Sequence, residues 1–183
     1  MLHLIVVLSA LCAVTLGCPS IVSRAAWGAR PPRCNSPVMQ SQRPMAIIHH
    51  TVTPSCYSLA SCKRQLLGMQ NYHMNSQKWC DIGYNFLIGE DGQVYEGRGW
   101  YRVGVHAGNV NPSSIGIAFI GNFSNRLPNS KAINAAKNLI QCAVSRNRLR
   151  SNYALRGHRN VMNTACPGNT LYRNILAWKN FRA

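Results

Sequence analysis

The chain reads as a single α/β domain in which a central mixed β-sheet is flanked by helices. Two observations predict this. Apolar runs with a β-branched bias alternate with segments whose apolar residues recur at helical spacing, so strands and helices interleave. The length left after an apolar leader suits one hydrophobic core, and no internal repeat or low-complexity segment interrupts it.

The elements follow in order. Leu4 to Leu16 is almost wholly apolar and is followed by Gly17, so residues 1–17 read as a secretory signal peptide and 18–183 as the mature domain. That run is too short to span a bilayer and no later run is longer, so a secreted, extracellular protein without a transmembrane segment is expected. Pro31-Pro32 marks an N-terminal loop. Met45 to His50 reads as a buried strand ending in two histidines, and Thr51 to Tyr57 as a turn-rich loop. Ser58 is placed to cap a helix on which Leu59, Cys62, Leu66, Met69 and His73 share a stripe. Tyr84 to Ile88 and Gln93 to Tyr95 read as strands joined by Gly89-Glu90-Asp91-Gly92, whose Asp-Gly pair is a hairpin signal. After a glycine- and aromatic-rich loop, Gly97 to Gly108, the run Ile115 to Ile120 reads as a further strand. Ser130 caps a second long helix with Ile133, Ala136, Leu139, Ile140, Ala143 and Val144 on one stripe. A last helix is expected over Thr170 to Trp178.

Charge narrows the function. Twenty Lys and Arg face four acidic residues, for a formal net charge of +16. Such a surface attracts polyanions at long range, less so at high salt. With secretion, anionic bacterial surface polymers fit better than nucleic acid, which is not an expected partner. The four carboxylates, Asp81, Glu90, Asp91 and Glu96, form no flanking pair of the kind a glycosidase uses. Neither H-E-x-x-H nor G-x-S-x-G occurs.

Eight cysteines are present, and Cys12 leaves with the leader. An odd number remains: Cys18, Cys34, Cys56, Cys62, Cys80, Cys142 and Cys166. In an oxidising compartment all but one can pair. Cys56 and Cys62 flank a short loop and are natural partners. The leftover is a free thiol, an intermolecular bridge or a metal ligand. Cys166 lies eight residues after His158, and His49 ends an apolar strand. Two histidines and a thiolate make a three-ligand zinc set with a fourth position open. His50 points to the opposite face of its strand from His49 and reads as structural.

Taken together, the segments IVSRAAWGA (21–29), IIHHT (47–51), the C-x5-C pair, NYHM (71–74), WCDIGYNFLIGEDGQVYEGRGW (79–100), NPSSIGIAFIGNF (111–123), SNYALRGHR (151–159) and TACPG (164–168) resemble the peptidoglycan recognition proteins. The match covers nearly all of the mature chain and is closest to short, secreted members. The resemblance implies a fold shared with zinc amidases, with zinc (Zn2+) held by His49, His158 and Cys166, and catalytic roles for Tyr84 and Thr164. It implies disulfides Cys18–Cys142, Cys34–Cys80 and Cys56–Cys62, leaving Cys166 for the metal. The implied partners are bacterial peptidoglycan and muropeptides, and the implied reaction is hydrolysis of the amide between N-acetylmuramic acid and L-alanine. A non-catalytic peptidoglycan receptor and a cationic bactericidal protein are the alternatives.

Several side chains are candidates for the substrate groove. His73 fits either a helix core stripe or, by the resemblance, the groove. His106, Trp79, Trp100 and Tyr101 are further candidates. Arg102 is expected to bear on the third stem residue, since the resemblance places specificity in the two residues after Gly97-Arg98-Gly99-Trp100. A guanidinium there suits the extra carboxylate of meso-diaminopimelate, so preference for that type of peptidoglycan is one reading and a merely solvated arginine is the other.

Overall fold

A computed structural model describes residues 18–39 and 41–183; the expected signal peptide lies outside them. Six strands, β1 (Ile21–Val22), β2 (Arg43–His50), β3 (Phe86–Ile88), β4 (Val94–Glu96), β5 (Ser114–Phe119) and β6 (Leu149–Gly157), form one sheet in the order β1-β4-β3-β5-β2-β6. Only β3 and β4 pair antiparallel, across the Asp-Gly hairpin; every other neighbour is parallel. The sheet is therefore mixed, with helices α1 (Arg24–Trp27), α2 (Leu59–Asn71), α3 (Ser130–Ser145) and α4 (Asn169–Ile175) packed on it.

The alternation of side chains along each strand sorts the core onto two faces. Ile48, Phe86, Ile88, Ile117 and Phe119 pack with Leu139 of α3 and Leu171 and Ile175 of α4. Leu87, Ala118 and Tyr95 face the other way, with Leu66 and Met69 of α2 and Trp27 of α1. Both faces of β5 are covered, which is why Ile115 to Phe119, after the buried Ser114, is an unbroken apolar run.

Local chemistry sets the boundaries. Ser58 caps α2 as expected, its side chain accepting from Ser61 N. Leu59, at the first turn of α2, is exposed, so the buried stripe begins at Cys62. After α2 a π-turn, Tyr72–Ser76, carries His73. The cap of α3 is Asn129 and not Ser130: its side chain accepts from Ala132 N, and its backbone N–H and side-chain amide both bond Glu90. The last helix is α4, which stops at Ile175, before Trp178. Three elements lie beyond the sequence reading: β1, α1 and β6. In β6 only Tyr153, Leu155 and Gly157 alternate inward, after the exposed run Arg150-Ser151-Asn152.

Three disulfides join Cys18 to Cys142, Cys34 to Cys80 and Cys56 to Cys62, and Cys166 is free and buried. The first ties the N-terminal segment to α3, closing a loop of 124 residues. Among the described residues no helix is long and apolar enough to cross a membrane.

Glu90 ties the hairpin to α3. Its carboxylate accepts from both terminal nitrogens of Arg126, at 3.0 and 2.6 Å, and from Asn129 N. Burial pushes its pKa up, but the hydrogen bonds from Arg126, Asn129 and Tyr57 outweigh that, and the pKa lies below the usual value. A depressed carboxylate contributes stability above its unfolded pKa and loses it as pH falls through the folded one. Arg126 is 44% exposed and partly rehydrates when the pair is broken. Glu90→Gln is therefore expected to cost about 1–3 kcal/mol at pH 7. The gap between variant and wild type should shrink as pH falls below the carboxylate range, as read from urea unfolding at both pH values.

Candidate metal centre

The parallel pairing of β2 with β6 aligns Ile48 with Gly157. The next residues in each strand direction, His49 and His158, then stand side by side at the carboxyl ends of the two strands, the edge where open α/β sheets bind ligands. Their ring centroids are 4.4 Å apart. The loop into α4 brings Cys166 to the same edge. Its Sγ lies 3.7 Å from His49 Nδ1 and accepts from His50 N at 3.4 Å. Gly168 permits this approach: a Cβ there would lie 2.6 Å from the Phe123 backbone, and its φ is +89°. One ligand atom from each of His49, His158 and Cys166 falls within 4.8 Å of the others, the one such cluster among the described residues.

His50 takes the opposite face, its Nδ1 accepting from Phe123 N, as strand alternation requires.

The donor set fits zinc. Two imidazoles and a sulfur are three protein ligands with room for a fourth. The 3.7 Å between His49 Nδ1 and Cys166 Sγ is close to the edge of a tetrahedron with bonds of about 2.0 and 2.3 Å. Burial, then the charges of His106, His158 and His50, lowers the His49 pKa well below its usual value. Burial also lowers that of His158, so both rings are neutral at pH 7, as metal ligation requires. Burial pushes the Cys166 thiol up to about 12, against the His50 N–H and the charge of Arg159. A bound dication would displace that proton.

Side chains around the ligands fix their orientation. His49 Nε2 lies 3.0 Å from His106 Nδ1, leaving His49 Nδ1 for the metal side. His106 is itself wedged: a Cβ on Gly116 would come within 2.5 Å of its ring, so β5 has glycine at that point. Asn111 Oδ1 accepts from His106 N and Ala107 N and holds the loop. Thr164 Oγ1 accepts from Cys166 N, bracing the sulfur's loop. Asn111, Gly116 and Met162, whose Sδ lies 3.2 Å from His158 Nε2, escaped the residue-by-residue reading, because nothing local marks them as neighbours of a ligand.

Two cavities flank the cluster. One, of about 460 Å³, is lined by Thr51, Thr53, Tyr72, His73 and Tyr84. The other, of about 340 Å³, is lined by Trp79, His106, His158 and Met162. The Tyr84 ring centroid is 5.3 Å from that of His49. Burial, then the charge of Cys166, raises the Tyr84 pKa, so it stays a phenol and a donor. His73 stacks on Trp79 at 4.7 Å and accepts from Gly83 N, and burial lowers its pKa to about 4.

Three of the expected groove residues are not brought to these cavities. Trp100 packs on Phe86, with ring centroids 4.2 Å apart, because the core offers it apolar surface there. Tyr101 is exposed and stacks with Arg148. Arg102 donates to Ser36 O and lines a separate cavity that shares no residue with the other two. The pairing of loop residue 102 with Val38 of the N-terminal segment fixes its backbone there.

Residues 40–169 match the family model described as N-acetylmuramoyl-L-alanine amidase. The chain is similar to peptidoglycan recognition protein 1 of Mus musculus, 48% identical over 176 residues and covering 96% of each chain. It is similar to peptidoglycan-recognition protein 2 of Holotrichia diomphalia, 45% identical over 92% of this chain and 89% of that one. Among solved structures, human PGRP-IβC in complex with glycosamyl muramyl pentapeptide superposes with a TM-score of 0.87 at 40% identity, covering 91% of this chain and 100% of that one.

The contact of His106 with His49 has a measurable consequence. His106→Ala is expected to weaken zinc binding about 10–100-fold, the usual effect of losing a partner that orients a ligand. Competition against a chromophoric chelator measures it, and an unchanged affinity would show that His49 needs no such support.

Proposed function

Because the chain belongs to the peptidoglycan recognition proteins, within the N-acetylmuramoyl-L-alanine amidase family, we propose that it is a secreted zinc amidase of innate immunity that acts on bacterial peptidoglycan. Muropeptides would lie in the two cavities beside the cluster, and the bond cleaved is the amide between the lactyl group of N-acetylmuramic acid and L-alanine. The observation that carries this reading is the convergence of His49, His158 and the free Cys166 at the open edge of the sheet.

Zinc, when bound, lowers the pKa of water toward neutrality and polarises an amide carbonyl. The chain's own groups do the rest. Tyr84, kept protonated by burial, would donate its O–H to the oxygen on which negative charge develops. Thr164 and His106 hold Cys166 and His49 in place. The stacked His73 and Trp79 give the cleft a flat wall suited to a sugar or peptide face. No carboxylate lines either cleft cavity. Asp81, Glu90, Asp91 and Glu96 are all bound into structural contacts. No carboxylate is therefore at hand in the cleft to serve as a general base.

Attraction to anionic envelope polymers coexists with this chemistry. Asp81 and Glu90 are buried and Asp91 and Glu96 half-buried, whereas most of the basic side chains are exposed, so with a net charge of +16 the surface field is strongly positive.

Two variants separate catalysis from binding. Cys166→Ser is expected to abolish release of stem peptide, a loss larger than the roughly 10–100-fold of a change outside the ligand set, while muropeptide binding persists. A wild-type protein that holds zinc, binds muropeptide and releases no stem peptide would instead be a receptor. Tyr84→Phe removes one donor to the developing charge and should lower kcat by about 10²–10³ with little change in muropeptide affinity. Steady-state kinetics paired with calorimetric binding distinguishes this from a loss of substrate contact.

A further inference from the structure

A further cavity lies outside the cleft. It encloses about 220 Å³ between the N-terminal loop at Pro32 to Ser36 and the turn after β4, and three arginines line it: Arg24, Arg98 and Arg102. One carboxylate, Asp81, also lines it, and that group is committed. It pairs with Arg24 at 2.9 Å and accepts from Gln70 Nε2 and Ile82 N.

Arg98 is 8% exposed, yet its hydrogen bonds go only to neutral acceptors: Ile82 O, Ser36 Oγ, Val103 O and Asp81 O. Burial lowers its pKa; Asp81 opposes this, and the like charge of Arg24 adds to it. A buried guanidinium whose direct partners are all uncharged is costly unless an anion approaches it. Arg102 stands exposed at the same cavity, with Nη1 on Ser36 O as its one side-chain hydrogen bond. Its remaining N–H donors are free for a ligand. The cavity thus combines a buried, under-neutralised cation with an accessible fork of donors at its mouth.

We propose that this cavity is an anion-binding site, separate from the cleft, that takes a phosphate-type oxyanion. A planar guanidinium with paired N–H donors matches phosphate geometry. The phosphate is either free or part of a polyol phosphate polymer entering by one unit. This site accounts for Arg102, the basic residue that the cleft leaves out.

The test is calorimetric titration of the zinc-loaded mature chain in a phosphate-free buffer. Inorganic phosphate is one probe and a glycerol phosphate oligomer the other. Saturable binding at one site is expected, with Arg102→Ala weakening it at least about 10-fold through the lost charge-assisted bonds. Arg150→Ala, which removes an exposed arginine of β6 that does not line the cavity, should leave affinity unchanged. Tighter binding of the oligomer assigns the site to the polymer, and equal binding per phosphate assigns it to the free ion. No saturable binding by either probe, or equal losses in the two variants, would overturn the site and leave only diffuse surface charge.

Discussion

The parallel pairing of β2 with β6 is the constraint on which the functional end of this protein depends. Its register, Ile48 against Gly157, makes His49 and His158 neighbours although more than a hundred residues separate them. A slip of one residue would turn the side chains of β2 over, sending His49 to the face of α3 and His50 toward the cleft. The same pairing buries Ile48 and Leu155 in one core, so register and ligand placement are selected by the same apolar contacts.

Burial at this edge acts on each ligand in a different way. It keeps the histidines neutral, which a metal requires, and it keeps the sulfur protonated until a cation displaces the proton. It also keeps Tyr84 a phenol at any ordinary pH. The cleft is consequently rich in neutral donors and ligands and lacks carboxylates. The four acidic residues serve the scaffold: Asp81 pairs with Arg24, Glu90 links the hairpin to α3, Asp91 accepts from Tyr95, and Glu96 accepts from the start of α1. With its few anions engaged in scaffold contacts, the molecule presents a strongly cationic surface.

The legible parts of the fold were those with local causes. The strand at Met45 to His50, the hairpin at Asp91-Gly92 and the caps near Ser58 and Ser130 all follow from short-range periodicity or turn chemistry, with the α3 cap displaced by one residue because Glu90 recruits Asn129. Strand β6 was hidden because Arg150, Ser151 and Asn152 face water and only its second half alternates. The aromatic pair Trp79 and Trp100 shows the limit most plainly. Both sit in loops, yet one stacks on His73 in the cleft and the other fills space against Phe86.

By itself the sequence determined the candidate ligand types, the segments that bear them and the odd number of cysteines after the leader, because residue identity and local spacing are written in the chain. The opposition of His49 and His50 was determined too, since strand alternation has a period of two. Only the tertiary structure decided that His106 supports His49, that Gly116 makes room for it, and that Arg102 joins Arg24 and Arg98 in another cavity. Those outcomes rest on contacts between segments far apart in the chain, and which surfaces meet is settled by the packing of the whole core.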